Sequence, residues 1–464
     1  MSIQKILIAN RGEIAVRIIR AAKSLGISTV QVYSEADADM LAVREADEAV
    51  CIGPAPAKDS YLNIDALMAA AEKSGADAVH PGYGFLSENA AFVRRVEAAG
   101  LIFIGPSADT ISRMGDKVAA RQAAEAAGVP VVPGSNGRID TIEEIIAVAE
   151  AVGFPVMIKA AAGGGGRGIR VADDVAALRK LAPQARQEAE AAFGDGGLYV
   201  ERAILAPRHI EVQIIGDGVD AVHFFERECS LQRRRQKVWE EAGAVCLDHA
   251  TRDALCASAV ALAKTVAYRG AGTLEYLYDE STQEFFFIEM NTRIQVEHPV
   301  TEMLTGVDLV AEMIRVCGGA PLSLTQADIT ATGHAIEVRI NAEDPSMQFM
   351  PFPGKIGRFE VPQGQGVRMD HFLYEGYQIP PFYDSLLGKL IVHAETRDAA
   401  VDKLADALSR VVIEGVKTTI PLHIALTRDP DVRAGTFHTQ WLETWLDSGG
   451  LTRALSPMPK GDTQ

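Results

Sequence analysis

The chain has 464 residues, 48% hydrophobic and 23% charged, with 45 Lys and Arg against 62 Asp and Glu for a formal net charge of -17. That length exceeds a single hydrophobic core and predicts about two to four domains of an ordinary globular enzyme. The acidic balance argues against nucleic acid as a partner. No apolar run reaches the length of a membrane span, and "MSIQKILIANRGE" has no cleavable apolar signal core.

In chain order, "KILIA" reads as a short buried strand, "EIAVRIIRAAKSLG" as a helix closed by Gly26, and "STVQVYS" as the next strand. "DAVHPGY" and "LIFIGPS" repeat the strand-then-turn pattern, which predicts a parallel α/β domain ending near Met114. Alanine-rich helical stretches bracket a glycine run, and from Tyr199 to about Arg293 the chain turns strand-rich. "TEMLTGVDLVAEMIRVC" reads as helical. From about Gly333, strands marked by Pro and Gly mix with a helix near "DAAVDKLADALSRVV". Five scattered cysteines, Cys51, Cys229, Cys246, Cys256 and Cys317, form no C-x-x-C pair. They predict reduced thiols and a cytoplasmic setting.

The glycine run is "IKAAAGGGGRGIR", residues 158–170. It contains G-x-G-x-x-G as Gly163, Gly165 and Gly168, yet extended sequence lies on both sides and the next helix starts only near Asp174. A dinucleotide fingerprint must open a helix, so that reading fails. Two readings stay open: a flexible surface loop, or a phosphate-wrapping flap with Lys159 entering it and Arg167 within it.

A second signal is "GTLEYLYDESTQEFFFIEMNTRIQVEH". Its two β-rich runs flank a polar turn and predict an antiparallel hairpin. With the turn centred near Thr282, Glu275 and Glu289 lie opposite each other on one face, where like charges destabilise unless bridged. A divalent cation would bridge them, with Asn291 adding an oxygen; Leu274, Ile288 and Met290 predict a half-buried strand. The alternative is an exposed hairpin with solvated carboxylates. Glu289, Asn291, Arg293, Gln295 and Glu297 then alternate with apolar or small residues. One compact site from these five requires a bend after Arg293, because an extended run would separate its ends by about 26 Å.

Other residues are weaker individually. "QRRRQK" at 232–237 lies among acids such as Glu226, Glu228, Glu240 and Glu241 and reads by default as salt-bridged structure. Lys117 in "MGDK" reads as a surface lysine at a helix start, His209 in "RHIEVQ" as a satisfied structural histidine, and Arg339 in "EVRINAED" as a core-edge ion pair.

Eight stretches occur in one order: "IANRGEIAVRIIRA", "HPGYGFLSENA", "FIGPSADTISRMGDK", "KAAAGGGGRGIR", "RHIEVQ", "CSLQRRRQKV", "FIEMNTRIQVEHPVTE" and "RINAEDP". In this the chain resembles the biotin carboxylases, enzymes of the ATP-grasp superfamily, from about Ile3 to Trp445. The resemblance implies a mixed α/β and α+β architecture: an N-terminal parallel α/β domain (1–115), an ATP-grasp domain (116–332) with a mobile glycine-rich lid (about 131–204), a C-terminal α+β domain (333–447) and a tail (448–464).

It also implies roles. Lys117 and Lys159 would hold ATP phosphates under Gly164, Gly165 and Gly166. Glu201 and the backbone at Ala203 and Ile204 would read adenine, with His209 and Gln232 nearby. Glu275, Glu289 and Asn291 would ligate magnesium, or manganese in its place. Lys237, Arg293, Gln295 and the Val296 amide would seat bicarbonate, and Glu297 would deprotonate it for attack on the γ-phosphate. The resulting carboxyphosphate would release CO₂ and phosphate, and Arg339 would stabilise the biotin enolate that captures CO₂. The implied partners are a biotin carboxyl carrier protein, carboxyltransferase subunits and a second copy in a homodimer. Lys460 in "SPMPKG" lacks the setting of a biotinyl lysine, so biotin would arrive on another chain. Arg235 stands where many relatives have His or Asn, and Arg202, Ile169 and Gly243 also depart from the common pattern. Other ATP-grasp ligases and a non-catalytic subunit of this fold are the competing readings.

Overall fold

The computed structural model describes residues 3–135, 137–160, 170–193 and 195–455. The N-terminal strands Glu48–Cys51, Ser28–Tyr33, Lys5–Ile8, Ala78–His80 and Ile102–Phe103 form one parallel sheet in that spatial order. Ile6, Leu7 and Ile8 are all fully buried, as a strand covered on both faces requires. The helix Gly12–Ser24 buries Ile14, Ile18 and Ile19 against this sheet, and Gly26 reverses the chain at φ +70°. In the loop between that first strand and helix, Asn10 donates to the carbonyls of Pro81 (2.6 Å) and Tyr83 (2.7 Å), fixing the "HPGYG" turn.

The strands Arg170–Ala172, Val156–Ala160 and Leu198–Arg202 form a small antiparallel sheet in that spatial order, covered by the helices Ile142–Val152 and Val175–Phe193. Val156 pairs with Ala172 and Ile158 with Arg170, so the glycine run joins two antiparallel neighbours, as its extended flanks predict. Gly164, Gly165 and Gly166 themselves lie outside the described residues.

The largest element is an antiparallel sheet of eight strands. Their spatial order is Glu284–Asn291, Arg269–Asp279, Arg208–Asp217, Ala221–Arg233, Gln236–Ala242, His334–Asn341, Leu386–Ala394 and Val367–His371. Trp239 pairs with Val338, so the sheet runs without a break from the central part of the chain into its last third. The strand-rich middle also contains the helix His249–Thr265, which carries Leu255, Ala259 and Leu262 into the core. The stretch predicted as one helix around residues 301–317 is two, His298–Thr305 and Leu309–Cys317. Gly306 at φ +74° ends the first, and Asp308 starts the second by accepting from Ala311 N–H at 2.8 Å.

Candidate active site

One face of the large sheet carries a row of charge. In register across four neighbouring strands stand Glu289, Glu275, Glu211 and Arg227. Three adjacent carboxylates repel unless cations reach them, and two do. Arg227, fully buried, donates from Nε to Glu211 (2.6 Å) and from its terminal nitrogens to Gln213 (2.8 Å) and Gln295 (3.0 Å). Lys237 Nζ bridges Glu211, Glu275 (3.0 Å) and Glu297 (2.6 Å).

Glu297 reaches that lysine because the strand ends at Asn291 and the chain bends, bringing Glu297 to the start of the helix His298–Thr305. The bend that a compact site requires is present. The five alternating polar residues therefore share no single extended face. Gln295 donates to Glu275 at 2.9 Å, and Arg339 reaches Glu297 with a terminal nitrogen (3.1 Å) and Glu240 with Nε (2.6 Å).

Burial and charge oppose each other here. Burial pushes the Glu297 carboxyl up, but Lys237 and Arg339 more than reverse this and hold it below the usual carboxylate range. Burial likewise raises Glu275, and Lys237 and His209 bring it well below. Glu240, with Arg339 the main cation acting on its charge, is left by burial at about 7. Burial lowers His209, but Glu275, 3.3 Å from its Nε2, raises it to about 9. The structural reading of that histidine gives way to an ionic one.

Glu275 and Glu289 pair directly, as the hairpin reading predicts, though with a twist in the count. The strands pair one residue out of that register from Tyr276↔Phe287 to Asp279↔Glu284, and an extra residue at Ile288 restores the 275–289 match. Ile288 is consequently exposed rather than half-buried, which corrects that part of the reading, whereas Leu274 and Met290 are buried. Glu289 is exposed, yet desolvation by the surrounding groups and the Glu275 charge raise it, and it makes no ion pair among the described residues. Asn291 is buried with its Nδ2 unpartnered, and its Oδ1 accepts from Arg293 (2.9 Å). Two facing carboxylates and an amide oxygen fit a hard divalent cation.

The remaining candidates fall around this centre. Arg293 lies outside the Lys237 hydrogen bonds; its Nε donates to Glu88 at 2.9 Å. The Val296 carbonyl accepts from the buried Lys389 Nζ (2.7 Å), which leaves its amide as the group for an anion. Lys159 and Glu201, expected to bind opposite ends of ATP, are ion-paired with each other. Ala203 gives its N–H to the Pro155 carbonyl (2.9 Å), so its own carbonyl is the group left for a ligand, and Ile204 packs with Val132 and Phe286. Gln232 donates to the Cys229 carbonyl at 2.8 Å, and Lys117 is exposed at the start of the helix Lys117–Ala126. Of the "QRRRQK" cations, Arg233 pairs with Glu343 at 3.2 Å and Lys237 with the site acids, not with the neighbouring glutamates.

Sequence reasoning missed Glu211, Arg227 and Glu240 as parts of the site, and Tyr83 and Glu88 beside it. The alternation in "RHIEVQ" puts Glu211 on the face of His209 but does not say which strands lie beside it. Lys237, Arg339, Val296, Tyr83 and Tyr383 line one open cavity of about 470 Å³.

Residues 2–111 match the family model described as the biotin carboxylase N-terminal domain, and 337–444 that of the biotin carboxylase C-terminal domain. Residues 116–325 between them match the ATP-binding domain of the carbamoyl-phosphate synthase L chain. Biotin carboxylase 1 of Bacillus subtilis is 53% identical over 444 residues, covering 96% of this chain and 99% of the relative. The chain belongs to the biotin carboxylase family. Biotin carboxylase of Pseudomonas aeruginosa is 53% identical over 446 residues, 96% of this chain and 99% of its own. Among solved structures, the biotin carboxylase domain dimer of Hydrogenobacter thermophilus 2-oxoglutarate carboxylase, with MgADP, ADP and bicarbonate, superposes with TM-score 0.86 at 48% identity over 96% of this chain and 98% of its own. The Campylobacter jejuni biotin carboxylase complex with β,γ-ATP gives TM-score 0.87 at 48% identity, covering 95% of this chain and 99% of its own. The architecture is the biotin carboxylase ATP-grasp fold, an enzyme fold with α/β and α+β parts.

Proposed function

We propose that this chain carboxylates biotin held on a separate carrier protein, using ATP and bicarbonate, as the first half-reaction of a biotin-dependent carboxylase. One observation carries the reading: Glu297 is a buried carboxylate held ionised between Lys237 and Arg339, and those two cations line an open cavity. An ionised carboxylate with few waters around it is placed to take the proton of bicarbonate. The carbonate oxygen so freed attacks the γ-phosphorus, ADP leaves, and carboxyphosphate remains; Lys237, Arg293, Gln295 and the Val296 amide seat the anion. Carboxyphosphate splits to CO₂ and phosphate, the phosphate takes the ureido N–H proton of biotin, and that nitrogen bonds CO₂. Arg339, anchored by Glu240, faces the ureido oxygen as negative charge grows on it.

Lys117, Lys159 and the amides of Gly164, Gly165 and Gly166 serve the ATP phosphates, and Glu201, Ala203, Ile204, His209 and Gln232 serve the base and sugar end. Glu275, Glu289 and Asn291 would hold a magnesium or manganese ion, which when bound neutralises phosphate charge. The Lys159–Glu201 pair breaks as nucleotide enters, releasing the lysine. Functional parts divide near 115, 332 and 447. Carboxyltransferase subunits, a homodimer and a cytoplasmic setting complete the reading.

The test is Glu297→Gln, nearly isosteric and still an acceptor. Bicarbonate-dependent ATP cleavage and biotin carboxylation fall together by at least about 10²-fold, while ATP affinity barely changes. Unimpaired carboxylation with unchanged bicarbonate dependence would reject the assignment.

A further inference from the structure

Glu240 and Glu337 stand directly opposite each other on the neighbouring strands Gln236–Ala242 and His334–Asn341, and both are fully buried. Opposed residues of an antiparallel pair share one face with their Cβ atoms about 4.5–5.5 Å apart, so two like charges there repel. The next pairing repeats the conflict with the other sign. Arg339, two residues beyond Glu337 and on the same face, pairs in register with the buried Lys389. Two acids and two cations thus meet on one covered patch of the large sheet, and of these only Arg339 and Glu240 have a part in the reaction proposed above.

The hydrogen bonds on this patch are unevenly shared. Arg339 gives Nε to Glu240 (2.6 Å) and a terminal nitrogen to Glu297 (3.1 Å). Lys389 turns to Glu13 (3.1 Å) and the Val296 carbonyl (2.7 Å), and Lys237 to Glu211, Glu275 and Glu297. Both oxygens of Glu337, and Oε2 of Glu240, have no hydrogen-bond partner among the described residues. The helix His298–Thr305 above them brings no cation. Its Val300 and Leu304 pack with Ala242, Ala335 and Ile391, and its Glu302 is bonded to Arg17 (2.7 Å) and Arg368 (2.8 Å). Burial keeps its His298 uncharged, with Nδ1 2.7 Å from the Gln295 carbonyl. A buried carboxylate without a donor is far less favourable than the neutral acid. One proton on Glu337 removes a charge that no hydrogen bond offsets, and its O–H is the donor that Glu240 Oε2 lacks. Burial, aided by the Glu240 charge, raises the Glu337 carboxyl well above the usual range against the pull of Lys389 and Arg339.

We propose that Glu337 is a positioning residue for the biotin half of the reaction, holding a proton against Glu240 so that the pair carries one negative charge instead of two. The proposal rests on the role given to Arg339 above. An ionised Glu337 puts a third carboxylate near that guanidinium, after Glu240 and Glu297, and the summed field opposes negative charge on a ureido oxygen. With the proton in place, Glu240 still anchors Arg339, and the guanidinium keeps its charge for the substrate. Glu337 touches no substrate itself and acts through these two side chains.

The experiment compares full-chain Glu337→Gln and Glu337→Leu with the unaltered protein. Glutamine is uncharged and keeps an N–H for Glu240; leucine keeps no donor. The infrared difference spectrum of the unaltered chain minus Glu337→Gln, at pH 7, shows the C=O stretch of a protonated carboxylic acid. Loss of a carboxylate band alone would overturn the proposal whatever the kinetics. With free biotin, Glu337→Gln rescues kcat to within about twofold of the unaltered chain, whereas Glu337→Leu lowers it at least about tenfold. Bicarbonate-dependent ATP cleavage without biotin stays within about twofold in both, since Glu297 and Lys237 keep their partners. A tenfold loss in Glu337→Gln would mean that the charge is needed, and equal kcat in the two variants that Glu240 needs no donor; either overturns the proposal. So does an equal fall of ATP cleavage and biotin carboxylation, which would make Glu337 a support of the fold or of the base. Where leucine prevents folding, the infrared band and the Glu337→Gln kinetics decide. Failure of the unaltered chain to carboxylate free biotin would instead remove the functional reading, and the positioning role with it, while the infrared band still reports the proton separately.

Discussion

Lys237 is the residue on which the site's electrostatics turn. Its single ammonium faces Glu211, Glu275 and Glu297, all of them buried, and burial alone would lower its pKa. The three carboxylates win and hold it well above the ordinary lysine value. The same contacts keep Glu297 and Glu275 ionised, so the lysine serves both the proposed base and the proposed cation site. Lys237→Met removes the cation and strands its acids, a change that costs about 3–5 kcal/mol when a buried pair loses one partner. The cost depends on pH in a defined direction. A stranded carboxyl has its pKa raised in the folded state, so its penalty is absent where it is protonated and grows as pH rises. Denaturant unfolding should therefore show a smaller loss at pH 5 than at pH 8. An equal loss at both would mean that the acids find other partners.

At the scale of elements, two hairpins show how far the sequence could be read. Residue counting predicts Glu275 opposite Glu289, and the structure pairs them, yet only because an extra residue at Ile288 shifts the register on one side of the pair. No propensity marks that bulge, so Ile288 reads as part of a half-buried strand and is exposed. Similarly, the apolar spacing across 301–317 continues through Gly306, and only the left-handed turn there separates two helices. Glu211 and Arg227 were illegible for another reason. Their pairing depends on which strands become neighbours, a tertiary fact that local alternation does not carry. The second hairpin, between the strands ending at Arg233 and starting at Gln236, turns through Arg234 and Arg235 at φ +49° and +64°. Two left-handed residues suit a two-residue turn of this hand, but each costs a side-chain-bearing residue about 1–2 kcal/mol. Arg235→Gly, at an exposed position, should raise unfolding free energy by about 0.5–1 kcal/mol. Lower stability would show that the arginine makes compensating contacts, and calorimetric Tm decides between them.

Across the whole molecule, the eight-stranded sheet joins the strands of Glu275 and Glu289 to the C-terminal strands, and Lys389 is a charge buried at that junction. It lies on the strand Leu386–Ala394, fully buried, and contacts Glu13 of the N-terminal helix (3.1 Å) and the Val296 carbonyl (2.7 Å). Three distant parts of the chain thus meet at one ammonium, one residue before the proposed base. Burial raises Glu13 and Lys389 pulls it back, while Tyr83, at the cavity wall, donates to the same carboxylate. Nothing local in "GKLIVHA" places that lysine beside Glu13, because their meeting depends on which distant elements pack together. Lys389→Met should cost about 3–5 kcal/mol by leaving Glu13 buried beside no cation. Glu13→Gln removes that stranded charge, so the double variant should be less destabilised than the two singles added, with a coupling of about 0.5–3 kcal/mol. The catalytic readout separates positioning from stability. The Val296 peptide loses its anchor in Lys389→Met whether or not Glu13 is neutral, so the double variant recovers stability without recovering bicarbonate-dependent turnover. Additive stabilities would show that Glu13 and Lys389 act independently. Recovery of turnover together with stability would show that the ammonium holds the fold alone and does not aim Glu297.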